Sequence, residues 1–136
     1  MLPVRKHSRK RDAILQCLRE TTEHPSAEQI YARLKPEIPD LSLGTVYRNL
    51  AQFRRENTVV SVGTVGGQER FDGNTTPHDH FICNRCGAVL DLAPLTLPDG
   101  ALRQVQEQIG AEISGFRLNY FGLCSRCKTA EDKSLF

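Results

Sequence analysis

Two Cys-x-x-Cys pairs, Cys83/Cys86 and Cys124/Cys127, constrain this chain more than any other feature. In a reducing compartment such pairs favour metal over structural disulfides. Four thiolates can converge tetrahedrally on one zinc and leave no open position for chemistry. The 37 residues between the pairs exceed the usual zinc-ribbon gap, so they must hold structure of their own, including a helix. A redox-active dithiol or two disulfides are the alternatives, but no thioredoxin-like pattern surrounds either pair. Cys17 stands apart, on the apolar face of the first predicted helix, and reads as a small core residue.

The other metal-ligating side chains gather around the first pair. His78 and His80 share one face if the segment is a strand. Asp72 and Asp91 flank them, and a four-thiolate site needs none of these four residues. Mixed imidazole and carboxylate donors suit a borderline or hard divalent ion such as Fe²⁺ or Mn²⁺. The plainer alternative is two exposed histidines beside a linker.

Upstream, the pattern is that of a nucleic-acid reader. Ala13, Ile14, Cys17 and Leu18 recur at helical spacing between about Ser8 and Thr21. Ser26-Ala27-Glu28-Gln29 has capping-box form and opens a second helix through Ile30, Tyr31 and Leu34, closed by Pro36 and Pro39. Ser42 opens a third, with Val46, Leu50 and Phe53 on one stripe and Thr45, Tyr47, Arg48, Asn49 and Gln52 on the other face. Two β-rich runs, Thr58–Val65 and Gln68–Phe71, meet at Gly66-Gly67, a hairpin turn. Three helices and a hairpin predict a winged helix-turn-helix. Its third helix is a candidate for the major groove. Arg48 and Asn49 can reach base edges or phosphates, the Thr45 methyl can meet thymine, and Tyr47 can reach a phosphate. An ordinary solvated helix face is the alternative.

Charge agrees with that division. Residues 1–72 carry 12 Lys/Arg against 9 Asp/Glu, and residues 73–136 carry 6 against 7. Arg5, Lys6, Arg9, Lys10 and Arg11 make a basic leading edge suited to a polyanion. No apolar run resembles a signal peptide or membrane span, which points to the cytoplasm. No nucleophile–base pair or phosphate loop stands apart from the candidate ligands, so an enzyme such as a small zinc hydrolase, and an organic small-molecule substrate, are not expected.

The polar, turn-rich Asp72–Pro77 stretch marks a boundary. The expected class is α+β: a winged-helix DNA-binding domain at 1–73, a linker at 74–77 and an α/β domain at 78–136. In the latter, Phe81–Cys83 and Ala88–Leu92 read as strands, and Leu102, Val105 and Ile109 line a helix that starts near Pro98 and ends at Gly110. Ile113–Leu123 alternates loosely, and the tail Lys128–Phe136 is expected to fray.

These residues resemble the ferric uptake regulator (Fur) family of bacterial metal- and redox-sensing repressors over nearly the whole chain. The markers are Ser26-Ala27-Glu28-Gln29-Ile30-Tyr31, Gly44-Thr45-Val46-Tyr47-Arg48-Asn49-Leu50, Arg70-Phe71-Asp72, His78 through Gly87, and Tyr120 through Cys127. The resemblance implies a homodimer, a C-terminal dimerisation domain with a structural zinc on Cys83, Cys86, Cys124 and Cys127, and binding to palindromic double-stranded DNA operators. It also implies DNA contact by the family arginine, here Arg11, although Lys10 stands where a Gln usually precedes it. Within the family the chain is most similar to the peroxide-sensing (PerR-like) branch. That branch holds a regulatory Fe²⁺ or Mn²⁺ on three histidines and two aspartates, matched here by His24, Asp72, His78, His80 and Asp91. Iron- and zinc-uptake branches more usually carry Glu where Asp72 and Asp91 stand, and often have histidines where this chain has Pro77 and Phe116. One zinc and one regulatory metal per subunit are therefore expected. The implied function is a metal-dependent repressor that senses peroxide through iron-catalysed oxidation of His24 or His78. The alternative is an iron- or zinc-responsive uptake repressor that uses the same pocket without oxidation.

Overall fold

The structure, a computed structural model, describes residues 9–134, with side chains described as far as residue 129. The predicted basic edge at Arg5 and Lys6 therefore lies outside the described residues. Three helices open the chain: α1 (Arg9–Glu20), α2 (Ala27–Leu34) and α3 (Leu43–Arg55). The predicted caps are present. Ser26 Oγ accepts from the Gln29 amide at 3.2 Å while the Gln29 side chain accepts from the Ser26 amide at 2.9 Å. Ser42 Oγ caps α3 by accepting from the Thr45 amide at 3.1 Å. Each such cap typically contributes about 1 kcal/mol. The apolar stripes meet in one core, where Ile14, Leu18, Ile30, Leu41, Val46, Leu50 and Phe53 are almost wholly buried. Burying a side chain of this kind contributes roughly 1.5–3 kcal/mol.

Strands β1 (Val60–Val65) and β2 (Gln68–Asp72) form the antiparallel wing. Gly66 and Gly67, with φ of 58° and 82°, make the tight turn that joins them. The register breaks between Ser61 and Gly63, so Val62 is an extra residue on the bulged strand. Val62 is buried against Ile82 and Val89 of the following sheet. The bulge thus turns one wing residue onto the C-terminal lobe. Asn119 adds a hydrogen bond across the same boundary, its Nδ2 donating to the Val62 carbonyl at 3.2 Å.

The C-terminal lobe contains β3 (Asp79–Cys83), β4 (Val89–Leu92), α4 (Ala101–Ile109), β5 (Asn119–Gly122) and α5 (Ser125–Ser134). Its sheet order is β4-β3-β5, with β4 antiparallel and β5 parallel to β3. Two expectations need correction. The loosely alternating stretch 113–123 yields a strand only over its last third, because only Asn119–Gly122 finds a partner on β3. The described part of the tail continues as helix beyond Lys128: α5 runs from Ser125 to Ser134, the Lys128 amide donates to the Cys124 carbonyl at 2.8 Å, and residues 135–136 lie outside the described residues. The second Cys-x-x-Cys anchors the first turn of that helix, which no local pattern in the tail announced.

Gly73, just after β2, lies against the end of α1. A Cβ there would sit 2.9 Å from the backbone carbon and oxygen of Leu18, closer than side-chain carbons pack. Gly73→Ala is expected to lower the unfolding free energy by about 1–3 kcal/mol, the range for overpacking against rigid structure. Urea denaturation of the two proteins checks this.

Candidate metal centres

The described residues contain two clusters of metal-type donors: the four cysteines, and Asp72, His78, His80 and Asp91, which spacing picked out, joined by His24, which the resemblance supplied. In the first, β3 delivers Cys83 and its turn Cys86, while the β5–α5 junction delivers Cys124 and Cys127. The four Sγ atoms lie within 4.8 Å of one another, and Cys86 Sγ stands 3.7 Å from Cys124 Sγ. Zinc–thiolate bonds of about 2.3 Å place the corners of a tetrahedron about 3.8 Å apart, whereas a disulfide needs about 2.05 Å. All four thiols are free. The Cys86 and Cys124 amides both point at Cys83 Sγ, at 3.5 and 3.4 Å. Backbone donation from Cys86 and then Cys124 pulls the Cys83 thiol well below its ordinary value. Burial, and then its neighbouring thiols, push the Cys127 thiol up. Four adjacent thiols cannot all ionise alone; a divalent cation removes that conflict. The donor set fits zinc.

The second cluster joins the two lobes. His24 comes from the turn before α2, Asp72 from the end of β2, His78 from the residue just before β3, His80 from β3, and Asp91 from β4. His80 and Asp91 are cross-strand partners. Asp72 Oδ2 lies 3.1, 2.7 and 3.0 Å from Nε2 of His24, His78 and His80. Asp91 Oδ1 lies 2.7, 3.0 and 3.3 Å from the same three nitrogens. Two ligands at right angles on bonds of about 2.1 Å are separated by about 3.0 Å, so these six spacings fit one hard or borderline cation. His24, Asp72 and His80 are buried, His78 is half-buried, and the Asp91 side chain, 39% exposed, opens the cluster to solvent. His78 Nδ1 donates to the Thr76 carbonyl at 2.6 Å, which leaves its Nε2 lone pair for a ligand. His24 Nδ1 is buried with no hydrogen-bond partner among the described residues.

Ionisation within this cluster is a contest between burial and pairing. Burial opposes the Asp72 carboxylate, but hydrogen bonds from His24, His80, the Asn74 amide and His78 outweigh it and hold the group far below the usual carboxylate range. Burial also opposes charge on His24, and its bonds to Asp72 and Asp91 reverse the effect, so its pKa rises. For His78, burial is outweighed by the Thr76 carbonyl and by Asp72, again raising it.

On α3, Tyr47 and Arg48 are exposed and Thr45 and Asn49 half-buried. Arg48 Nη2 donates to Thr45 Oγ1 at 3.0 Å, and Asn49 Nδ2 donates to the Thr45 carbonyl at 2.9 Å. The Tyr47 hydroxyl donates to Glu28 on α2. Arg11 lies on α1, its guanidinium 5.1 Å from the Phe53 ring centre. The structure thus gathers Thr45, Tyr47, Arg48 and Asn49 on one helix and sets Arg11 on another. Arg70, which the spacing argument passed over, bonds three main-chain carbonyls: those of Glu23, His24 and Gly87. Its signal in sequence was its place in the marker Arg70-Phe71-Asp72.

A winged helix joined to a small sheet lobe, with a four-thiolate cluster and a His/Asp cluster at the junction, defines a class: metal-responsive DNA-binding regulators. Comparison with known proteins agrees. Residues 4–121 match the model of the ferric uptake regulator family. The peroxide operon regulator of Bacillus subtilis is 34% identical over 128 residues, covering 90% of this chain and 84% of that protein. The Helicobacter pylori ferric uptake regulator, described as having three functional metal binding sites, superposes with a TM-score of 0.73 at 25% identity, over 90% of this chain and 82% of that one. The Campylobacter jejuni peroxide stress regulator superposes at 0.67 with 27% identity, over 87% and 88%. The chain belongs to the ferric uptake regulator family and is a metal-responsive repressor. No helix among the described residues is long and apolar enough to cross a membrane.

The ionisation pattern fixes a pH dependence for protein without a cation in the His/Asp cluster. The raised His24 and His78 contribute stability that is fully present below about pH 6.5 and lost as pH rises through their folded values. The depressed Asp72 contributes stability present above about pH 4 and lost only as pH falls through its lower folded value. Cation binding must displace the imidazole protons, so affinity falls as pH drops below about 7. Calorimetric titration with Mn²⁺ in buffers of differing ionisation enthalpy is expected to show proton release, larger at pH 6 than at pH 8.

Proposed function

We propose that this chain is a cytoplasmic, homodimeric transcriptional repressor that senses peroxide through its His/Asp cluster. The observation carrying the proposal is that cluster's composition and place: three imidazoles and two aspartates, drawn from both sides of the lobe boundary. His24 and Asp72 belong to the proposed DNA-binding domain, 1–73, and His78, His80 and Asp91 to the proposed dimerisation domain, 78–136, with 74–77 as linker. In this reading zinc is held by Cys83, Cys86, Cys124 and Cys127 and serves structure alone. Fe²⁺ or Mn²⁺ is held by His24, Asp72, His78, His80 and Asp91. Two aspartates, where uptake regulators more usually carry glutamates, favour the peroxide-sensing branch, as do the names of the relatives.

The mechanism rests on what holds the lobes together. Without a cation, three imidazoles and two carboxylates share one small volume, and protons must bridge them. A cation held by these five residues would take the place of those protons and, by its differential affinity, favour the closed shape in which His24 reaches Asp91 across the boundary. Fe²⁺ held there would supply the redox centre for peroxide: overall, the imidazole of His24 or His78 would give up two electrons and gain one oxygen atom from one H2O2, whose other oxygen would leave as water. An oxidised imidazole can no longer hold its place opposite Asp72 and Asp91, and the closed shape loses its cross-boundary tie. The α3 helices of a dimer then lose the spacing of about 34–36 Å, or a multiple, that successive major grooves require.

Dimerisation has its own support. α4 contains no buried residue although its apolar positions repeat at helical spacing. Val105, Ile109, Phe116, Phe121 and Leu123 are all exposed on the same lobe. A second copy covers such a surface.

Two outcomes are expected. His24→Ala abolishes metal-dependent binding to a palindromic duplex selected from a random pool, measured by fluorescence anisotropy. Stoichiometric peroxide releases DNA from the Fe²⁺ form but not the Mn²⁺ form, and mass spectrometry finds one added oxygen on the His24 or His78 peptide. If both forms keep DNA and neither peptide changes, the protein is an iron- or zinc-responsive uptake repressor.

A further inference from the structure

The two donor clusters are joined by one side chain. Arg70 lies on β2, two residues before Asp72, and its guanidinium grips three main-chain carbonyls from two separate segments. Nε donates to the His24 carbonyl and Nη2 to the Glu23 carbonyl at 2.7 Å. Nη1 donates to the Gly87 carbonyl at 2.8 Å. We infer that Arg70 is a positioning residue that aims His24 and makes the His/Asp cluster depend on the four-thiolate turn. This inference rests on the reading of that cluster as a divalent-cation site.

His24 is the donor that most needs aiming. His78 is oriented through its own ring, by the bond from Nδ1 to the Thr76 carbonyl. His24 has no such bond, because its Nδ1 is buried without a partner among the described residues. Outside the cluster's own contacts from Nε2 to Asp72 and Asp91, the aim of its imidazole rests on its backbone. That backbone is itself unusual: His24 has φ 54°, a left-handed conformation that a side chain with a Cβ seldom adopts. Such a conformation persists only when its surroundings fix it. Here the fixing bonds come from β2: two from the Arg70 fork, and one from the Phe71 amide to the Pro25 carbonyl at 3.1 Å.

The third arm of the fork reaches the thiolate turn. Gly87 follows Cys86 directly, has φ 75°, and donates its amide to the Cys83 carbonyl at 3.0 Å. It is therefore part of the turn that presents Cys83 and Cys86. A planar fork with donors on fixed vectors can satisfy both segments only while their spacing is kept. Collapse of the thiolate turn removes one anchor of the side chain that holds His24, and displacement of a ligand by as little as about 0.5 Å degrades a site. By linkage the effect is reciprocal: filling the His/Asp cluster must steady the thiolate turn.

The test compares zinc-loaded wild type with Arg70→Met, Arg70→Lys and His24→Ala. Three properties are measured: Mn²⁺ affinity, the rate of zinc loss to a chelator with and without Mn²⁺, and the His24 imidazole NMR signal before Mn²⁺ is added. Arg70→Met is expected to keep one zinc per chain, to bind Mn²⁺ about 10–100-fold more weakly, as loss of a ligand-orienting partner does, and to shift the His24 signal. Mn²⁺ is expected to slow zinc loss in wild type and not in Arg70→Met. Arg70→Lys, which keeps the charge but brings one nitrogen to three carbonyls, recovers part of each effect. If Arg70→Met does not fold, Arg70→Lys decides, and wild-type Mn²⁺ affinity and zinc protection in it overturn the inference. Unchanged affinity in Arg70→Met alongside a loss in His24→Ala overturns the role of Arg70 alone. Unchanged affinity in both overturns the cation-site reading with it.

Discussion

One carboxylate oxygen organises this molecule. Asp72 Oδ2 lies within 3.1 Å of three imidazole nitrogens, those of His78 just before β3, His80 on β3 and His24 in the turn before α2. A buried carboxylate is costly unless it is bonded, and this one is bonded from every side, its Oδ1 accepting from the Asn74 amide at 2.8 Å. Asp91 faces the same three nitrogens from the far lobe. In the proposed mechanism, whatever neutralises this group of donors, protons or a cation, decides how firmly the two lobes meet.

The rest of the structure keeps that meeting place in register. Gly73 lets the chain leave β2 flush against α1. The bulge at Val62 turns a wing residue into the sheet lobe, so the boundary has an apolar contact as well as a polar one. Arg70 ties the His24 turn to the thiolate turn. The His/Asp cluster draws its donors from both lobes, and in the proposed mechanism what occupies it biases how they meet. A metal-dependent switch of DNA affinity requires a boundary whose balance a ligand can shift.

Local chemistry made much of the fold legible. Ser26 and Ser42 announced two helices because an N-cap hydroxyl answers free amides at a fixed spacing. Gly66-Gly67 announced the hairpin because two consecutive positive φ values suit glycine. What was not legible is pairing over distance. β5 lies parallel to β3, some forty positions earlier, and nothing in Asn119–Gly122 names that partner. The tail reads as weakly patterned, yet α5 grows from the cysteines that anchor its first turn. Val62 looks like any other residue of its strand until the register breaks beside it.

For the sites, residue type and spacing determined the chemistry available: four thiols in two pairs, and histidines and aspartates around the first. Those features are covalent and short in range, so the sequence carries them by itself. Tertiary structure alone decided which donors meet. His24 and Asp91 are 67 positions apart and stand 2.7 Å from each other, a contact that local propensity does not encode because it depends on how two lobes pack. It also decided that Arg70 spends its donors on three carbonyls instead of solvent, since a strand position shows which face a side chain takes but not what lies there.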